Sequence, residues 1–317
     1  SRGAVAVLLY RGLSDSDWAD RMSVRRFRLH ILALKQAGFK FLTPEELPDY
    51  FASLERPEDD LDEHRPDRAV IVTFDHADAK TLALATEVAD DFDLKFAMHV
   101  SVGRVEDGDM GVAGWDALRE YSRTGHWSFG SMLYDAANLA VVAEDGLLGS
   151  SLANRIWLSE DEALEQPLAY SKRLRFEYRE SRDLLREKLG PEFSANFMAY
   201  PHGDFGQGER SNVSDAIDQN LNEAAVNYEV GFIQSQFGFA VNGDNSLLYQ
   251  RYAPELFDTG EDVVDHILSS HPVFLARRLR CEISALSGRL YRARHNLELL
   301  RRDGYPERPY ELAAAFV

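Results

Sequence analysis

Three short stretches of this chain concentrate side chains able to move protons or hold a cation. The first, Asp75-His76-Ala77-Asp78, ends the apolar run 69–74. The second is Gly130-Ser131-Met132-Leu133-Tyr134-Asp135-Ala136-Ala137-Asn138-Leu139, and the third is Tyr200-Pro201-His202-Gly203-Asp204. Carboxylates and imidazoles are the groups that act as general bases near neutral pH and as ligands for divalent ions. His76, Asp78, Asp135 and His202 form one candidate ligand set, with exposed polar loop residues as the competing reading. A carboxylate at the end of a buried strand also demands a partner. Arg11, at the end of the first apolar run, is the candidate for a charge-assisted pair with Asp75. His99 and His126 fall inside strand patterns and read as satisfied core histidines.

Other chemistries find little support. Gly203-Asp204-Phe205-Gly206-Gln207-Gly208 carries glycines in the wrong order for a nucleotide turn, and no Walker-type lysine or GxSxG serine is present. A single cysteine, Cys281, excludes an intrachain disulfide framework and any Cys-rich zinc site. The net charge of −18 disfavours nucleic acid as a partner. No apolar run approaches the ~20 residues of a membrane span. The chain begins Ser1-Arg2-Gly3 without a signal-peptide pattern, as expected of a mature form or a piece of something longer.

The elements that must position these groups alternate short apolar runs with helical patterns, the signature of β–α units around a parallel sheet. Residues 5–10 read as a buried strand. Ser23 caps a helix with Val24, Phe27, Ile31 and Leu34 at helical spacing and Gly38 as its stop. Thr43-Pro44-Glu45-Glu46 is a helix start, and 55–68 is an acidic, proline-containing loop. Strands are expected at 39–42, 69–74, 95–102 and 126–131, and helices at 80–91, 115–121 and 167–189. A final α/β stretch runs to about residue 270. Beyond it, Leu275, Leu279, Ile283, Leu286, Leu290, Ala293, Leu297 and Leu300 make a heptad-like stripe. Residues 271–302 hold eight arginines against two acids, a balance of +6 that leaves −24 on the remainder. A barrel over 1–265 with a basic helical arm over 266–317 follows, the 271–302 helix being the expected contact for a second copy or a partner protein.

Residues 71–78 (IVTFDHAD) resemble the TFDDG strand end of the polysaccharide deacetylase (NodB-homology) family. Residues 130–139 (GSMLYDAANL) resemble its GSHTYSHPNL motif, and 197–204 (FMAYPHGD) its FFAYPYGD motif. The opening VLLYRG at 7–12 and WDALR at 115–119 are similar to the family's LMYHG strand and WDELR helix. The resemblance covers about residues 4–255 with five motifs in register. It implies a distorted (β/α) barrel with fewer than eight regular strands and a site at their C-terminal ends.

In active members, the second Asp of TFDDG and two histidines four residues apart hold a divalent metal, and the first Asp is the base. Carried over residue by residue, Asp75 matches the base, while the metal-ligand positions are His76, Met132 and Ala136. A thioether binds zinc poorly and an alanine not at all. Tyr200 keeps the place whose backbone amide serves the oxyanion, Asp204 keeps the acid of the turn, and Arg11 replaces the first-strand histidine. Trp127, Tyr134 and Phe205 are candidates to stack on sugar rings, with core packing as the competing role. Arg11, Asp135, His202 and Asp204 complete the expected substrate-binding set. The resemblance thus implies a degenerate member without a cofactor that binds a polysaccharide or oligosaccharide, or scaffolds exopolysaccharide or cell-wall assembly, outside the cytoplasm. The alternative is an active hydrolase that removes N-acetyl groups at a rewired site holding a metal such as zinc.

Overall fold

Seven consecutive buried residues, Ala69–Asp75, can only be a strand covered on both faces, and around it the chain builds a ring. The computed structural model describes residues 3–18, 20–54, 68–190, 193–208, 211–272, 290, 293 and 294. The chain divides into two compact units, Ser1–Ile267 and Leu268–Val317. The arm helix expected over 271–302 lies outside the described residues except at 271, 272, 290, 293 and 294.

In chain order the elements are β1 (Ala4–Tyr10), β2 (Leu13–Ser14), β3 (Met22–Ser23), α1 (Val24–Gln36), β4 (Lys40–Phe41), α2 (Leu47–Leu54), β5 (Ala69–Asp75) and α3 (Ala79–Phe92). Next come β6 (Phe96–Val100), α4 (Val102–Glu106), α5 (Trp115–Arg123), β7 (Trp127–Ser131), β8 (Leu139–Val141), β9 (Leu148–Ser150), β10 (Trp157–Leu158) and β11 (Ala163–Leu164). The last are α6 (Pro167–Leu189), β12 (Phe197–Ala199), α7 (Ala216–Asn227), β13 (Val230–Gln234), β14 (Phe239–Val241), β15 (Tyr249–Arg251) and α8 (Gly260–Ser270). The caps read from sequence are in place. The Ser23 side chain accepts from the Arg26 amide, and the Glu46 carboxylate accepts from the Thr43 amide at 2.6 Å.

Seven parallel strands, β1, β5, β6, β7, β12, β13 and β15, follow one another around the barrel. The ring closes just past β15: Leu8 bridges Tyr252 in parallel, the Leu9 amide donates to Tyr252 O at 2.8 Å, and the Tyr252 amide donates to Val7 O at 2.9 Å. β14 flanks β1 antiparallel, and β4 flanks β5. Two tight spots require glycine. A Cβ on Gly130 would stand 2.3 Å from the Phe197 ring, and one on Gly238, at φ +73°, 2.3 Å from Tyr252 Cβ. The small sheets β2–β3, β8–β9 and β10–β11 lie on the connecting segments.

Side chains alternate across each strand, so the inner face can be followed upward. Val5, Val7, Ile71, Ala97, Phe197, Ala199, Val230, Phe232 and Tyr249 form one buried cluster, joined below by Leu47 and Phe51 of α2. Two residues further along the same face stand Thr73 and then Asp75 on β5, His99 on β6 and Arg251 on β15. The lumen is therefore apolar below and charged at its mouth. On the outer face Phe27 of α1 packs edge-on against Tyr10, Phe74 and Phe96.

Near the closing seam, His30 Nε2–H donates to Asp258 O (2.8 Å) and His30 Nδ1 stands 3.1 Å from Tyr10 OH, so both nitrogens are engaged; in the neutral imidazole that burial favours, the hydroxyl is the donor. Burial holds His30 below the ordinary histidine range, against the opposing pull of the Asp258 carbonyl and carboxylate. A depressed histidine pKa gives stability that is complete above the unfolded value and lost as pH falls through the folded one. Urea unfolding at pH 7, 6 and 5 is accordingly expected to show declining stability, and a flatter decline in His30→Gln.

Candidate functional site

At the mouth of the ring, β15 and β5 bring Arg251 and Asp75 together as a bidentate pair. Arg251 Nη1 donates to Asp75 Oδ1 at 2.7 Å and Nη2 to Oδ2 at 3.1 Å. Arg251 is 1% exposed and Asp75 6%. His99 places Nδ1 at 3.0 Å from Asp75 Oδ1 and 3.2 Å from Arg251 Nη1. Between an anion and a cation, the Nδ1 proton belongs with the anion, so His99 is a neutral donor to Asp75, and its buried Nε2 has no hydrogen-bond partner among the described residues. Burial pushes the Asp75 carboxyl up, but the Arg251 charge and the His99 hydrogen bond outweigh it and hold it well below the usual carboxylate range. Burial likewise keeps His99 below its ordinary value, against the pull of Asp75. A carboxylate so strongly acidic, with both oxygens engaged by one guanidinium, is a poor proton acceptor.

This corrects the expected Asp75–Arg11 pair. Arg11 is exposed and turned to a different cavity, because the inner-face position that reaches Asp75 is on β15. Neither Arg251 nor its role was legible in the sequence. The one available signal was a charged residue on the same alternation as Tyr249 in a short strand.

His76 sits just beyond Asp75 with φ +69°, its Nδ1 2.9 Å from Ser101 Oγ. Burial holds its pKa below the ordinary value, and the nearby cations Arg104 and Arg251 add to the effect. Met132 and Ala136, the other two ligand positions, are both buried, Ala136 within the apolar layer formed by Leu133, Leu152, Tyr170 and Leu174. The loop between them is held by Glu177 of α6: one carboxylate oxygen accepts the amides of Tyr134, Asp135 and Ala136 at 3.0, 2.9 and 3.0 Å. Sequence reasoning missed this anchor as well. Among the described residues no group of three His, Cys, Asp or Glu side chains is placed to hold a metal ion. With Asp75 committed to Arg251, and Met132 and Ala136 in the two histidine positions, the donor set does not fit the divalent metal that the resemblance implies.

The remaining candidates disperse. Asp78 caps α3 through the Thr81 amide (2.8 Å) and pairs bidentately with Arg21 (2.9 and 2.8 Å), so it is committed to structure. Trp127 opens β7, at the opposite end from the mouth, where its Nε1–H donates to Thr86 Oγ1 and its ring packs on Phe74 and Phe96. It cannot stack on a sugar at the mouth. The Tyr200 amide donates to Phe232 O at 3.0 Å in the β12–β13 ladder, which removes it as an oxyanion donor. Phe205 packs on the Tyr200 ring. His126 bonds Leu94 O at the barrel's lower end. Tyr134 is half-buried against Phe176, and Asp135 is exposed beside Asn138. His202, exposed at φ +58°, approaches Ala137 O at 3.0 Å, and Asp204 accepts the Gly206 amide.

No family model and no curated protein matches this chain. Solved structures do. A de-N-acetylase from Aggregatibacter actinomycetemcomitans superposes with TM-score 0.68 at 14% identity, over 83% of this chain and 99% of that one. The Streptococcus pyogenes deacetylase PplD in complex with acetate gives 0.62 at 19%, over 84% and 99%. IcaB from Ammonifex degensii gives 0.59 at 20%, over 84% and 97%. The chain has a polysaccharide-deacetylase-like fold.

Removing one member of a buried ion pair leaves the other charge uncompensated, at a cost of about 3–5 kcal/mol. Asp75→Asn and Arg251→Met are each expected to lose stability on that scale in urea unfolding, and the double variant much less than the sum. Additive losses would show that the two side chains are not coupled.

Proposed function

We propose that this chain is a polysaccharide-deacetylase-fold protein that binds carbohydrate, or scaffolds exopolysaccharide or cell-wall assembly, without metal-dependent hydrolysis. The observation that carries this reading is the occupied mouth: Arg251 and His99 close on Asp75, and Met132 and Ala136 are buried where the resemblance puts two histidines. A catalytic zinc site uses three protein ligands and keeps one position open for water. Here the carboxylate is neutralised from within the protein, and the loop that would carry two ligands is tied to α6 by Glu177 instead. The carbohydrate side of the proposal draws on structural neighbours that include deacetylases, one of them a polysaccharide deacetylase from Bacillus cereus. At 17% identity that likeness supports the fold, and the substrate class comes from it only by analogy.

The purified chain, dialysed against zinc and analysed by elemental mass spectrometry, is expected to retain no stoichiometric divalent metal. Incubated with N-acetylglucosamine oligomers, it is expected to release no acetate. Stoichiometric zinc together with acetate release that is lost in Asp75→Asn would establish the hydrolase instead.

A further inference from the structure

The ladder that closes the ring ends at Tyr252, and the residues after it, 253–258, have no strand to pair with. Among the described residues their amides donate only within the segment: Glu255 N–H to Asp258 Oδ2 at 2.8 Å and Asp258 N–H to Glu255 O at 3.1 Å. Side chains fasten the segment to the rest of the barrel. From α1, His30 Nε2–H donates to Asp258 O at 2.8 Å, and Arg26 Nη1 donates to Phe257 O and Asp258 O at 3.4 and 3.5 Å. From α8, the His266 ring lies flat on the Tyr252 ring, centroids 3.6 Å apart with 11° between the planes, and Tyr252 OH in turn donates to Asp258 Oδ2 at 3.2 Å. The strap so formed is one wall of a cavity of about 300 Å³ whose other wall includes Tyr10 and Arg11.

Two of these fastenings are imidazoles, and the site of His30 suits only the neutral form. His30 is 0% exposed and Tyr10 3%, with the Tyr10 hydroxyl 3.1 Å from Nδ1. An imidazolium carries a hydrogen on both nitrogens. Its Nδ1–H would claim the Tyr10 oxygen and leave the hydroxyl proton, on a ring packed against Phe27 and Phe74, without its acceptor. The charges around His30 are divided. Asp258 on the strap and Asp262 on α8 favour the cation, whereas Arg26, one turn earlier on α1 and paired with Asp17 at 2.9 Å, opposes it. Around His266 stand Asp258, the Gln236 carbonyl and the Tyr252 ring. Burial outweighs the favourable groups at both rings and holds each below the ordinary histidine range.

We propose that residues 253–258 form a proton-released strap: imidazolium formation at His30 and His266 in mildly acidic solution detaches the segment from α1 and α8 and removes one wall of the cavity, while the ring of strands stays closed. The bonds that Tyr252 exchanges with Val7 and Leu9 mark where the opening stops. With so few bonds to break, the event belongs at the low end of local stabilities. A histidine whose pKa is depressed in the closed form holds the strap fully above the open-form value of about 6.5, and releases it as pH falls toward the closed-form value. The device is independent of what the mouth of the barrel binds.

The test is amide hydrogen exchange of the full chain by NMR at pH 7.5 and 5.5, with each rate divided by the intrinsic rate at that pH. Protection of the Glu255 and Asp258 amides is expected to lie well below that of Ala69–Asp75 at both values, the mark of an opening short of global unfolding, and to fall by up to about tenfold at pH 5.5 for each histidine. The double variant His30→Gln/His266→Gln keeps at position 30 a donor for Asp258 O and an acceptor for Tyr10 OH, and is expected to give equal protection at the two values. A second reading needs no variant: the ring 15N shifts of both histidines should titrate over the range in which protection is lost. Protection that is unchanged at pH 5.5, that equals that of Ala69–Asp75 throughout, that falls as much in the double variant, or that falls where neither ring titrates would overturn the proposal.

Discussion

The charge pair of Asp75 and Arg251 is the constraint around which the mouth of the barrel is organised. Two ions out of water each carry a desolvation cost of several kcal/mol, and their attraction offsets it only with good geometry and further hydrogen bonds. Both conditions hold: the contact is bidentate, and His99 adds a third donor. The three side chains come from β5, β6 and β15, so the pair forms only when the ring has closed. Closure itself runs through Tyr252, the residue after Arg251, whose amide and carbonyl bond Val7 and Leu9 on β1. The last strand is thus held by backbone on both edges, to β13 and to β1, and by charge on its inner face.

The same pair governs what the site can do. A deacetylase-like mouth needs an ionised carboxylate free to take a proton and ligands to hold a metal. Here the carboxylate stays ionised because a guanidinium neutralises it, which removes its basicity. Glu177 fills the amide nest of the 134–136 loop, and burial pushes its carboxyl up against the pull of those three hydrogen bonds. The carboxylates nearest the chemistry, Asp75 and Glu177, are thus both compensated from within the protein.

Much of this was written locally in the sequence. The Ser23 cap, the buried run ending at Asp75 and the helix starting at Pro167 each follow from a few adjacent residues, and the structure places them there. The need of Asp75 for a cation was legible too. Its partner was not, because Arg11 and Arg251 are equivalent to any local rule, and only the strand order and the inner-face alternation of Tyr249 and Arg251 choose between them. Trp127 erred in the same way. An aromatic in a strand says nothing about which end of the barrel it occupies, and opening β7 puts it at the bottom. The hairpins β8–β9 and β10–β11 have two or three residues per strand, too few to show a period.

The most direct probe of the central claim is the carboxyl carbon resonance of Asp75, followed by NMR in a chain labelled with 13C aspartate and assigned with Asp75→Asn. Closed on by Arg251, Asp75 should remain ionised to well below the usual carboxylate range and give the same shift with and without zinc. Titration near pH 4, or a shift on adding zinc that saturates at one equivalent, would contradict the account.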